Sequence, residues 1–272
     1  MLTFREYGTT GHRVVVLHGG PGAPGSAASL AKDLAKHFRV IEPHQRGSGG
    51  EPLTVAQPLT VARHVADLQD LIDDWCEGER PALVGHSWGA MLALAHAAAH
   101  PRAVGAIALV GCGTFDAASR ARMSGTLSER IPEALRERLN HLSDEIPDPD
   151  ERLATLARLL LPSYSHRLLR KGLDDMACDA RAHDETWGDM LRLQDEGFFP
   201  GAFAAIGAPV LMLHGEVDPH PGGMIRDRLR TFIPHLGYHE LSRCGHYPWL
   251  EAKARDRFLG ILRGWLKKKS GT

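Results

Sequence analysis

The stretch LVGHSWGAML, residues 83–92, passes from an apolar run through Gly85, Ser87 and Gly89 into a series of small residues. A glycine on each side of Ser87 leaves room for a strand to turn sharply into a helix with the serine at the bend. A hydroxyl held there stands at a helix N-terminus, where backbone donors and the helix dipole favour developing negative charge. A tight turn that merely contains a serine is the competing reading, and the rest of the chain decides between them.

Upstream, PALVGHS (81–87) reads as a buried strand. Downstream, WGAMLALAHAAAH (88–100) reads as an alanine-rich buried helix stopped by Pro101. The same alternation extends in both directions. RVVVLHGG (13–20), FRVIEPHQRG (38–47) and VGAIALVG (104–111) are further strand-like runs. Val61, Val65, Leu68, Leu71, Ile72 and Trp75 recur at helical spacing over 60–76, behind Thr60 as N-cap. Continuous apolar strands separated by helices predict a mostly parallel sheet covered by helices on both faces.

After Gly113 the rhythm changes. Residues 114–205 are charged and arginine-rich, with helical patterns at 128–143 and 149–161 and no convincing strand. APVLMLHGEVD (208–218) resumes the strand signature. A helix near 223–233, a short strand YHEL (238–241) and an amphipathic helix near 251–267 follow. The economical reading is an α/β core of residues 1–113 and 206–272 with a helical cap inserted over 114–205.

Bulk properties narrow the function classes. A formal net charge of −1 gives no electrostatic reason to expect nucleic acid or an anionic membrane as partner. The Lys267–Lys269 run suits the C-terminal end of a helix. No apolar stretch is long enough to cross a bilayer, and the N-terminus lacks a basic start followed by an apolar core. The four cysteines show no CxxC pairing, so reduced thiols and a cytoplasmic location are expected.

In an open parallel sheet, ligands sit beyond the C-terminal strand ends. HGGPG (18–22), HQRGSG (44–49), GHSWG (85–89) and HGEVDPH (214–220) all fall there, and CGHYPW (244–249) follows the last short strand. A serine needs a base to take its proton. Of sixteen histidines, His246 fits best, since those at 214, 220 and 239 lie on or beside strands. The base in turn needs an acid to hold its tautomer. Asp218 follows its strand by a short turn and gives the chain order Ser, Asp, His; Glu216 and Asp116 are rivals. HGGPG and the helix start supply two amide donors for an oxyanion, Gly20 and Trp88.

Together these residues resemble the α/β-hydrolase superfamily over essentially the whole chain. HGGPG, QRGSG and GHSWG are similar to the proline iminopeptidase branch, whose members remove an N-terminal residue, usually proline. The resemblance implies a serine hydrolase with the triad Ser87, Asp218 and His246, forming an acyl-enzyme, with no metal or other cofactor. Its substrate is then a small molecule or short peptide. Three departures stand out. His44 occupies the place of the branch's aspartate before QRG. Only about a dozen residues precede the HGGPG strand, so one edge strand is expected to be missing or rebuilt. The cap also lacks the branch's aromatic-flanked glutamates for a substrate amine. Glu185, Asp184 and Asp189 around Trp187 are available acids. Glu185, Trp187, Phe198 and Phe199, with Met123, are candidates for the substrate-binding face. An esterase, a lactonase or a C–C bond hydrolase keeps the same triad; a silent scaffold of the same fold keeps none of the chemistry.

Overall fold

The computed structural model describes residues 2–23, 25–48, 58–169 and 178–269. Seven strands form one sheet in the order β1-β3-β2-β4-β5-β6-β7. They are β1 (Phe4–Tyr7), β2 (Arg13–Leu17), β3 (Arg39–Pro43), β4 (Ala82–His86), β5 (Ala106–Val110), β6 (Val210–Gly215) and β7 (Gly237–Leu241). All pairings are parallel except that of β1, which runs antiparallel along β3 from Phe4 opposite Pro43 to Tyr7 opposite Val40. The protein thus carries a single edge strand before the HGG turn.

Residues of β2, β4, β5 and β6 are buried throughout, which explains why they read as unbroken apolar runs. Side chains nevertheless alternate between two cores. Val15, Leu17, Leu83, Ile107 and Leu109 face one core with α2 (Val61–Cys76) and α3 (Trp88–Ala99). Val14, Val16, Val84, Ala108 and Leu213 face the other, with α1 (Ala28–Leu34) and the C-terminal helix α11 (Arg255–Lys269). Thr60 caps α2 by accepting from the Arg63 amide at 3.2 Å.

Between β5 and β6 the described chain is helical: α4 (Ala117–Arg130), α5 (Glu133–Asn140), α6 (Leu142–Glu145), α7 (Pro149–Leu160), α8 (Ala180–Asp195) and the short α9 (Phe198–Gly201). The helix expected over 128–143 is broken. Ile131 is extended ahead of Pro132, because the proline ring disfavours helical angles in the residue before it. At the end of the segment, Phe199 and Phe203 are buried in the same core as α2 and α3. Helix α10 (Gly222–Arg230) links β6 to β7 and buries Ile225 and Leu229 there too. No helix among the described residues is long and apolar enough to cross a membrane.

Candidate active site

Ser87 is the single residue between the end of β4 and the first residue of α3, with φ 53° and ψ −116°. Positive φ is costly for a residue with a side chain, so the turn persists only because its neighbours enforce it. They do. A Cβ on Gly85 would overlap the carbonyl of Gly89, and one on Gly89 would overlap the carbonyl of Leu17. The Ser87 amide donates to the Val110 carbonyl at 2.9 Å, which ties the bend to β5.

The loop after β2 runs against this bend. A Cβ on Gly19 would lie 2.9 Å from that of Ser87, and Gly20 sits at φ 70°. The two backbones are held together by a buried amide: Gln45 Nε2 donates to the His18 carbonyl at 2.9 Å, and Trp88 Nε1 donates to Gln45 Oε1 at 2.7 Å. Next to it, Arg46 forks onto both oxygens of Asp67 in α2, each at 2.6 Å. These contacts give the QRG turn a structural task. Gly49 of that motif lies outside the described residues.

Asp218 lies in the turn after β6, its side chain wholly buried, and three imidazoles surround it. His246 Nδ1 is 2.7 Å from Oδ2, His220 Nδ1 is 3.0 Å from Oδ1, and His214 Nε2 is 3.3 Å from Oδ2. The His220 amide also donates to Oδ1, at 2.9 Å. Burial pushes the Asp218 pKa up, but the three histidines outweigh it and hold the carboxyl well below its ordinary 3.8. Asp218 is therefore an anion, and an anion accepting from Nδ1 leaves Nε2 of a neutral His246 as the free acceptor. Burial lowers the His246 pKa from 6.5, while Asp218 pulls it back up. The rivals are engaged elsewhere: Glu216 accepts from the Arg243 amide, and Asp116 caps α4 through Ser119.

Two buried side chains fix the loop that carries His246. His86, kept neutral by burial, has its Nε2 3.0 Å from the His246 carbonyl, as a donor. Glu251, fully buried, accepts from the amides of Gly245 (2.9 Å), His166 (2.7 Å) and Arg167 (2.7 Å). The Tyr164 carbonyl accepts the His246 amide at 2.8 Å. The base is thus bound on one side to the strand that bears Ser87, and on the other to the segment following α7.

Ser87, His246, Gly20 and Trp88 line one pocket of about 290 Å³. Its outer wall comes from the helical segment: Met123, Leu153, Leu156, Leu160, His183 and Trp187 among others. Among the described residues none of the lining side chains is Asp, Glu, Lys or Arg. The acids beside Trp187 are turned to other work. Glu185 accepts from the Leu59 amide at 2.9 Å and pairs with Arg181 at 2.7 Å. Asp189 accepts from the Val61 amide at 2.8 Å and pairs with Arg192. Both stand at the N-terminus of α2, where its dipole favours anions. Asp184 faces a separate cavity beside Arg152. Phe198 is 55% exposed, and Phe199 stacks on Phe203 at 5.0 Å. Of the five substrate-binding candidates, Met123 and Trp187 reach the pocket; Glu185, Phe198 and Phe199 do not.

Asp218, His220 and His246 bring ligand-type atoms within 4.8 Å of one another. The geometry is poor for a metal ion. The His220 and His246 rings stack 4.6 Å apart at 16°, and each Nδ1 is already engaged by an oxygen of Asp218, which leaves neither free to ligate an ion. The sequence reading weighed His220 only as a rival base to His246, and His86 and Glu251 had no part in it. Only His220, two residues after Asp218, carried a local signal.

The chain as a whole is similar to known proteins. The model of the Alpha/beta hydrolase family matches residues 14–259. A 2-hydroxy-6-oxononadienedioate/2-hydroxy-6-oxononatrienedioate hydrolase of Pseudomonas putida is 28% identical, over 95% of this chain and 90% of its own length. A probable proline iminopeptidase of Streptomyces coelicolor is 32% identical over 70% of this chain and 60% of its own. The structure of MenH from S. aureus superposes with a TM-score of 0.70 at 18% identity, covering 99% of both chains.

Proposed function

Because the chain belongs to the alpha/beta hydrolase family, it is a hydrolase of that fold, and we propose that it cleaves uncharged carboxylic esters through Ser87, His246 and Asp218. The observation that carries this reading is the pocket. Its described lining offers apolar side chains, tyrosine and histidine, and neither an acid for a substrate ammonium nor a cation for a carboxylate. An iminopeptidase needs the first, and the acids beside Trp187, Glu185 and Asp189, are spent on the amides of Leu59 and Val61. The dioate in the Pseudomonas putida relative's name needs the second. A neutral ester needs neither.

In the proposed mechanism, Ser87 Oγ attacks the ester carbonyl while His246 Nε2 takes its proton. Asp218 stabilises the imidazolium that forms, and the amides of Gly20 and Trp88 hold the oxyanion. Collapse of the tetrahedral intermediate expels the alcohol, which takes the proton from His246. Water, deprotonated by the same histidine, then releases the acid from the serine. Residues 114–205 serve as the cap, and their apolar inner face selects the substrate.

The test is hydrolysis of p-nitrophenyl butyrate and of prolyl p-nitroanilide by wild type and Ser87→Ala. Ester turnover that disappears in the variant supports the reading. Turnover of the anilide alone overturns it in favour of an iminopeptidase, and ester turnover that survives in Ser87→Ala overturns the nucleophile.

A further inference from the structure

Asp218 carries two stacked imidazoles, and the proposed reaction uses one. His220 lines the same pocket as Ser87, with its ring 4.6 Å from that of His246 and nearly parallel to it. Its position is set three times over: Nδ1 on Asp218 Oδ1 at 3.0 Å, its own amide on the same oxygen at 2.9 Å, and the stacking itself. Since Asp218 is an anion, the proton of a neutral His220 sits on Nδ1. Nε2, on the opposite side of the ring, is then a bare acceptor. We infer that His220 is a specificity-determining residue whose Nε2 accepts a hydrogen bond from a hydroxyl of the substrate, carried a few bonds from the scissile ester.

The chemistry of the surroundings selects a hydroxyl over other donors. His246 becomes an imidazolium during the reaction, one ring-stacking distance away, so an ammonium bound at His220 would oppose the charge that develops there. Asp218 is already shared by both rings, and no second carboxylate lines the described pocket to hold an added cation. A hydroxyl brings no charge, and in an otherwise apolar cavity an acceptor left without its partner discriminates against a substrate that lacks the donor. The rigidity of His220 means that little ordering cost is incurred on binding.

This inference rests on the ester reading and deepens it. It is tested with two substrate pairs that differ by one hydroxyl: p-nitrophenyl β-hydroxybutyrate against p-nitrophenyl butyrate for the acyl limb, and ethylene glycol monobutyrate against propyl butyrate for the alcohol limb. Wild type is expected to favour the hydroxylated member of one pair by about 5- to 10-fold in kcat/KM, the size of one neutral hydrogen bond. His220→Phe, which keeps a stacked ring without the acceptor, should bring that ratio to about one, and His220→Gln, which offers a carbonyl, should restore part of it. Equal rates within both pairs in wild type overturn the inference without any variant, as does a preference that survives in His220→Phe. Failure of the ester reading itself shows separately, as turnover of prolyl p-nitroanilide alone or as ester turnover that persists in Ser87→Ala.

Discussion

The indole of Trp88 donates to Gln45 at 2.7 Å, and Gln45 donates onward to the His18 carbonyl at 2.9 Å. One buried amide therefore spans the two backbones, at Trp88 and Gly20, to which the proposed mechanism gives the oxyanion. Removing it by Gln45→Leu unpairs the indole and frees the loop. Oxyanion contacts strengthen only as the transition state forms, so kcat should fall by about 10- to 100-fold with KM little changed. Steady-state kinetics on p-nitrophenyl butyrate reads this directly, and a rise in KM at constant kcat would contradict it.

The acid limb of the pH profile should report His246. Burial lowers its pKa, so kcat/KM should rise with pH through a midpoint below 6.5. Asp218 raises that pKa while His220 and His214 lower it. Asp218→Asn should thus move the midpoint further down while cutting the rate by on the order of 10⁴. His220→Phe should move it up. A midpoint that rises in Asp218→Asn would show that the carboxylate does not act on the base.

Glycines of the bend and of the cap should respond in opposite directions. Gly89→Ala places a methyl group onto the Leu17 carbonyl and should cost ~3 kcal/mol or more, or prevent folding. Gly188, inside α8 with nothing within 4 Å of a Cβ, should accept alanine with a gain of about 0.5–1 kcal/mol. Thermal unfolding of the two variants separates the cases.

Glu251→Gln leaves the shape of the side chain but turns an NH₂ group toward backbone donors. With three amides on one carboxylate, the loss should be about 3 kcal/mol. The His246 loop is held by the same contacts, so kcat should fall even at temperatures where the variant is fully folded. Comparing chemical denaturation with activity at 20% of the denaturing midpoint, or about that, shows whether the two effects coincide; full kcat in a destabilised variant would separate Glu251 from the base.

What was legible in the sequence was what is local. GHSWG declares its bend within five residues, and DPH and CGH follow strands whose apolar runs are continuous. β1 escaped because FREY is half exposed and becomes a strand only by pairing with β3, some forty residues on. Pro132 divides the helix expected over 128–143, where the helical pattern suggested continuity. Glu185 and Asp189 looked available for a substrate amine because their partners, the amides of Leu59 and Val61, lie 126 and 128 residues away. Glu251 was invisible for the same reason: two of its three donors come from a segment more than eighty residues earlier.

That glutamate has a mechanical consequence. The helical roof is riveted by Glu251 behind α7, by Glu185 and Asp189 onto α2, by Arg130 at the end of α4 onto the Val217 carbonyl, and by the Asp179 amide onto the Gly22 carbonyl. One rivet is shared with the His246 loop, so the fastening of the roof and the mounting of the base are the same piece of chain.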